Sequence, residues 1–437
     1  MPTLQDFLRQ RLALLTLPVL TFGAVVAVLT ATNGSPTSQG PTGNAVQAAG
    51  DTETAIASLR AAVQTAPADA HAYALLGDAY YARSRESGDP ADVRRAERTY
   101  DAALRGDPDD VTAVAGLATV ALSRHDFTGG LDLARRAHRL EPALLAPYPA
   151  LVDGLIETGR YGEAARTLDQ MVRRKPSLAA YTRISYFREL NGDPAGAAEA
   201  LRLGVSAGAG TAEGNAFVRS ALGDLEADRG RYGAAERAYR EALAVDPEFG
   251  SARTGLAHLQ AGRGDLGAAV AKLRGLVGDP PSPDALAELG EVEQAAGLHR
   301  AARRHYATAG ELERALLADG SHVDAGVTLF EAEHGRAARA VRLGRRAWRA
   351  APSVSAADAY SWALQRAGRS RAAARLSTEA MKLGSRDPEF IYHAGLIARS
   401  NGRLGKARRL LGGLLEQTPR FSPLQAPRAR AALRGLG

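Results

Sequence analysis

The sequence predicts an all-α chain: a solenoid of stacked helix pairs preceded by one N-terminal transmembrane or signal helix. Three observations carry this. Ala, Leu and Arg dominate, aromatic residues make up only 5% of the 437, and no stretch alternates β-branched with polar residues for long, so strands have no signal. Prolines, glycines and alanines recur with a period near 34, which marks a repeat array rather than the three or so domains that the length alone would suggest. One uncharged run of twenty residues stands apart near the start.

Taken in chain order, residues 1–11 form a short n-region carrying Arg9 and Arg11, and residues 12–31, LALLTLPVLTFGAVVAVLTA, are the uncharged run. As a helix it spans about 30 Å, one bilayer core. Basic residues before it place the amino end in the cytoplasm and the remainder outside. The run is longer than a usual cleavable signal core and no clean A-x-A site follows it, so an uncleaved anchor is favoured over a cleaved signal or a buried core helix. Residues 32–50, opening TNGSPTSQGPTG, form a flexible linker rich in Gly, Ser, Thr and Pro. The expectation is a protein held at, or exported across, the cell membrane.

Residues 51–421 carry the period. Pro67, Pro108, Pro142, Pro176, Pro247, Pro281, Pro352 and Pro419 lie close to one or two times 34 residues apart. Between them a two-helix phrase recurs, opened by Leu76-Gly77, Leu222-Gly223 and Leu289-Gly290. Gly159, Gly230, Gly264, Gly297, Gly335, Gly368 and Gly402 mark its midpoint, where a residue with φ > 0 ends the first helix. Five residues on stand Ala164, Ala235, Ala269, Ala302, Ala340, Ala373 and Ala407, small enough for two helices to touch. Proline then closes the second helix.

These residues resemble the tetratricopeptide repeat (TPR) family, whose unit carries a Leu-Gly pair followed by Ala, aromatic, Ala and Pro. The best match is Ala216 to Phe249, with Leu222, Gly223, Gly230, Tyr232, Ala235, Tyr239, Ala242 and Pro247 in place. About ten units follow an N-terminal half repeat, with an insertion inside SRESGDPADVRR in the first, and residues 422–437 read as a C-terminal capping helix. The phrase AYTRISYFRELNGD is also similar to a bacterial subgroup of these repeats, consistent with a membrane-anchored or exported member. The resemblance implies a right-handed α-α superhelix whose first helices line a concave groove.

In such repeats the residue after Leu-Gly, and the one four further on, face the groove. The first column reads Asp78, Thr119, Asp153, Tyr186, Asp224, His258, Glu291, Leu329, Trp362 and Leu396; the second adds Glu157, Asp228 and Glu333. Two readings stand side by side: solvated acidic helix faces, or a groove for a basic or polar peptide, with Asp78, Asp153, Glu157, Tyr186, Asp224, Asp228, Glu291 and Trp362 as the partner-binding candidates. Leu329, Trp362 and Leu396 make either a hydrophobic subsite or, more simply, core. Groove Lys and Asn, which some family members use on peptide carboxylates, are missing from these columns.

Charge is uneven, with 25 basic against 11 acidic residues after position 299 and 30 against 37 up to it. Arg-rich second helices around Arg303, Arg345 and Arg408 suit either a solvated convex face or contact with anionic lipid or wall polymer. There is no cysteine, no H-E-x-x-H, no P-loop and no nucleophile elbow, and the nine histidines are scattered as surface or boundary residues would be. No catalytic residue, metal, cofactor or nucleic acid is expected. The favoured function is a non-catalytic protein-binding scaffold at the cell envelope. An envelope-surface binder of anionic polymer and a cytoplasmic regulatory repeat protein are the alternatives.

Overall fold

The computed structural model describes residues 52–436, apart from 88, 209–210 and 279–280. The n-region, the apolar run 12–31 and the linker 32–50 lie outside the described residues. Within the described residues there are 22 helices and no strand, and no helix is long and apolar enough to cross a membrane. The chain divides into two compact units, whose described parts are residues 52–183 and 184–436.

A lone helix α1 (Thr52–Thr65) opens the first unit. The pairs α2 (Ala70–Ser87) with α3 (Pro90–Gly106), α4 (Val111–Ser123) with α5 (Phe127–Leu140), and α6 (Pro147–Glu157) with α7 (Tyr161–Arg174) follow. α8 (Leu178–Leu190) spans the division and pairs in sequence with α9 (Pro194–Ala207). The second unit continues with α10 (Ala212–Asp228) and α11 (Tyr232–Val245), α12 (Gly250–Gly262) and α13 (Leu266–Arg274), and α14 (Pro283–Ala295) and α15 (His299–Ala318). Then come α16 (Ala325–His334) and α17 (Ala337–Ala350), α18 (Val354–Arg366) and α19 (Ser370–Ala380), α20 (Pro388–Ser400) and α21 (Leu404–Gln417), and a closing helix α22 (Gln425–Arg434). The insertion in the first full repeat is absorbed as added helix, since α2 and α3 run to 18 and 17 residues.

Helix starts are set by side-chain caps. Asp110, Asp126, Asp193, Thr211, Ser282, Asp324 and Ser353 each accept an N–H from the first turn. The midpoint turns share one geometry, in which a residue at φ near +70° lets the next N–H reach the carbonyl five residues back, as in Arg231 to Glu226 (2.8 Å) and Arg369 to Leu364 (2.8 Å). Two turns are made differently, one by a residue other than glycine and one without the left-handed residue. Between α4 and α5 no glycine is present, and His125 takes the left-handed backbone (φ 62°) with its ring stacked on Phe127. Gly335, expected to supply φ > 0, sits at −109°. There the Glu331 carboxylate folds back to accept the Arg336 N–H at 2.8 Å and replaces the missing carbonyl contact.

The predicted alanines are where helices meet, all seven being at most 1% exposed. Tyrosine on the second helix then explains the glycine of Leu-Gly. The Tyr239 ring lies against Gly223, where an added Cβ would come within 2.5 Å, and it also presses on Gly255 of the following repeat. Tyr100 does the same between Gly77 and Gly116. Each repeat of this kind therefore locks to the next through one buried ring.

Candidate functional site

The candidate residues fall into both units. In the first, Asp78 accepts the Tyr100 hydroxyl at 2.7 Å, and burial pushes its carboxyl up to about 7 despite that bond. Asp153 is 2% exposed and held by both ends of the Arg183 guanidinium at 2.9 and 2.7 Å. Arg183 also donates to the carbonyls of Ala179 and Pro149. This bidentate pair joins neighbouring first helices. It takes Asp153 out of the open lining, and Glu157, 5% exposed, is likewise within the wall.

The second unit gathers the remaining candidates. Tyr186 is half-buried on α8. Asp224 accepts the Tyr239 hydroxyl at 2.7 Å, and burial lifts its carboxyl to about 6. Asp228, one turn on, is 8% exposed; burial and then Asp387, Asp224, Glu189 and Glu389 push it well above the usual range. Burial and then Glu389 carry Glu291 to about 7, opposed by His258 and reinforced by Glu333 and Glu288. Glu189, which accepts the Ser185 hydroxyl at 2.7 Å, is lifted by burial to about 7.

Asp228 comes within electrostatic reach of Asp387 and Glu389, at the start of α20, because the second unit closes on itself. Five helix pairs beyond α11, the chain returns to it, and the Arg420 N–H donates to the Tyr232 hydroxyl at 3.0 Å. The Arg420 guanidinium lies 5.7 Å from the Tyr232 ring centre, and the Gln417 carbonyl packs onto Gly230. First helices of successive repeats thus face a common interior lined by Glu189, Asp224, Asp228, Glu288, Glu291, Glu333 and Glu389. Among the described residues few basic groups approach it: His258 lies 3.9 Å from Glu288, Arg366 and Arg428 lie 3.9 and 3.7 Å from Glu333, and His393 lies 3.9 Å from Glu389.

The C-terminal end of this interior is apolar beneath a polar rim. Trp362 is 3% exposed and Leu329 4%, so both belong to the core. Trp362 donates its indole N–H to Glu333 at 2.7 Å and stacks on His393 at 4.2 Å. A cavity of about 400 Å³ beside it is lined by Gln365, Arg366, Leu396, Arg399 and Ser400. His393 corrects the reading of histidines as surface residues, since it is fully buried and bonds Asp358 at 2.7 Å. Burial works against its charge, but Asp358 and then Glu389 raise its pKa above the ordinary value.

Sequence reasoning missed Glu189, Glu288 and Glu389. Each lies three or seven residues from a column position, Tyr186, Glu291 or Leu396, and so on the same helical face. Scanning at i±3 and i±7 as well as i+4 would have found them. Asp387 carried only the signal of a cap before Pro388.

Tetratricopeptide repeat sequence models match residues 42–91, 89–143, 150–212 and 220–285, more than half of the chain. The chain belongs to the tetratricopeptide repeat family. Among solved structures, TTC0263, a thermophilic TPR protein of Thermus thermophilus, is 22% identical over 41% of this chain and 92% of its own, with a TM-score of 0.36. Human IFIT1, solved as a dimer with m7Gppp-AAAA, is 15% identical over 85% of this chain and 96% of its own at a TM-score of 0.49. YrrB, described as a TPR protein with an unusual peptide-binding site, is 17% identical over 44% of this chain and 95% of its own at a TM-score of 0.30. Overlaps this loose carry no argument about what the present TPR chain binds. No curated protein matches it.

Proposed function

We propose that this TPR protein is a non-catalytic scaffold that holds a segment of a partner protein against the inner face of its second unit. The observation that supports this is the interior wall itself: carboxylates from five first helices converge there, and among the described residues Glu189 and Asp228 form no ion pair with a Lys or Arg. Repeat proteins present such stacked faces to extended or helical segments. The apolar run at residues 12–31 supports a place at the cell envelope, with the repeats outside the membrane.

A photo-crosslinking amino acid placed at Tyr186, and at Arg237 on the exposed side of α11 as control, tests the assignment in the native cell. Crosslinks to a discrete partner are expected from the inner position and not from the outer one. Equal yields at the two positions would refute the inner-face reading. Recovery of the chain in the soluble cytoplasmic fraction would sink the envelope location.

A further inference from the structure

We infer that Asp228, Asp387 and Glu389 form a subsite for one guanidinium or ammonium side chain of the partner segment, an assignment that rests on the inner-face reading above. Asp228 is 8% exposed and Asp387 1%. Asp387 Oδ1 caps α20, accepting the N–H groups of Glu389 (2.7 Å) and Phe390 (3.0 Å), while its Oδ2 and Glu389 Oε2 are buried without a hydrogen-bond partner. Among the described residues no Lys or Arg pairs with any of the three carboxylates. His393 Nε2, also buried and unpartnered, lies 3.9 Å from Glu389 Oε1.

Capping does not require a charge at position 387. Thr211, Ser282 and Ser353 cap equivalent first helices with a neutral hydroxyl. Asp228 caps nothing and sits at the end of α10, brought near α20 by the Tyr232 and Gly230 contacts with residues 417–420. Desolvated carboxylates held together are unfavourable unless a cation or a proton joins them. Among the described residues the cationic neighbour is His393, which lies 3.9 Å from Glu389 and bonds Asp358 through its other ring nitrogen, while no cationic side chain pairs with Asp228 or Asp387. Glu189 approaches from α8, Asp224 from α10, Tyr232 and Tyr239 from α11, Asp358 from α18 and Glu333 from α16. From α22, Gln425 donates to Glu389 Oε1 at 3.3 Å. Arg420 is turned onto the Tyr232 ring. Glu389 and Asp224 stay partly open to solvent, so a long basic side chain has a route in. Burial raises Asp228 and Asp387, the latter against its two backbone N–H groups, so a bound cation displaces protons.

The test uses the full chain and two labelled Gly-Ser peptides of equal length, one with three arginines and one with citrulline, the neutral isostere, at the same positions. At pH 8 the arginine peptide should bind at least about tenfold more tightly. The preference should narrow at pH 5, and calorimetry in two buffers should show proton release. Asp228→Asn, and Asp387→Ser, which keeps a capping hydroxyl, should each remove most of the preference while circular dichroism is unchanged. Equal binding of the two peptides overturns the subsite and leaves the inner-face reading standing. Failure of both peptides to bind, or unchanged binding by the two variants, also overturns the subsite. Spermidine displacing the arginine peptide at lower concentration than unlabelled peptide overturns the peptide side chain as the source of the cation.

Discussion

Replacing Gly230 by alanine tests the closure of the second unit, and the structure supplies its own control. Gly230 and Gly297 are both midpoint glycines in left-handed backbone, at φ of 72° and 78°. An alanine at either costs about 1–2 kcal/mol in backbone strain. At Gly297 nothing lies within 4 Å of the added methyl group, whereas at Gly230 the methyl group would overlap the Gln417 carbonyl, 187 residues further along the chain. Relief requires residues 417–420 to withdraw from α11. That withdrawal breaks the Arg420 to Tyr232 hydrogen bond, about 0.5–1.5 kcal/mol, and the guanidinium-ring contact, about 0.5–1 kcal/mol. Gly230→Ala should therefore exceed Gly297→Ala by about 1–2.5 kcal/mol. Because stacked repeats open locally, hydrogen exchange is the appropriate assay. Amides of residues 414–434 should exchange about tenfold faster or more in Gly230→Ala and at the native rate in Gly297→Ala. Equal protection in the two variants would mean that the return contact is not formed in solution, and Asp228 would then lose its neighbours on α20.

Three further outcomes follow from the same geometry. Asp153→Asn leaves the Arg183 guanidinium buried and uncompensated, so it should destabilise the first unit by about 3–5 kcal/mol, and the double variant with Arg183→Met should recover part of that loss in denaturant titration. Asp78, Glu189 and Glu291 near 7 and Asp224 near 6 are all raised above their unfolded values, so the stability they add is present below about pH 4 and is lost as pH rises through 6–7. Melting should accordingly weaken between pH 5 and 8, and Asp78→Asn with Glu291→Gln should flatten that slope; an unchanged slope would refute the assignment. Tyr239→Phe removes the hydroxyl that stabilises the Asp224 anion, so the Asp224 carboxyl titration followed by NMR should move further upward.

Much of the local architecture was legible in the sequence. Ala235, Tyr239, Ala242 and Gly223 follow from contact between adjacent helices, which requires small residues where backbones meet and one ring to fill the remaining space. The turn at His125 carried no such signal, because a left-handed non-glycine residue depends on neighbours that stabilise it. Gly335 misled for the opposite reason, as the Glu331 side chain does what a left-handed glycine does elsewhere. The groove columns lie on the same helical face as Glu189, Glu288 and Glu389 but do not tell which carboxylates are open. Asp153 and Asp224 occupy the same column position, yet one is consumed by Arg183 and the other receives a tyrosine hydroxyl.

The sequence by itself determined the helix pairs, those of their turns that a left-handed glycine makes, and the abundance of carboxylates on the first helices, because each depends on residues within about one repeat of one another. Only the tertiary structure decided that Gly230 and Tyr232 meet residues 417–420, and so that Asp228 lies within electrostatic reach of Asp387. That encounter depends on small rotations accumulated over five helix pairs, each set by how side chains such as the buried Tyr239 fill the space between repeats. No local pattern encodes their sum.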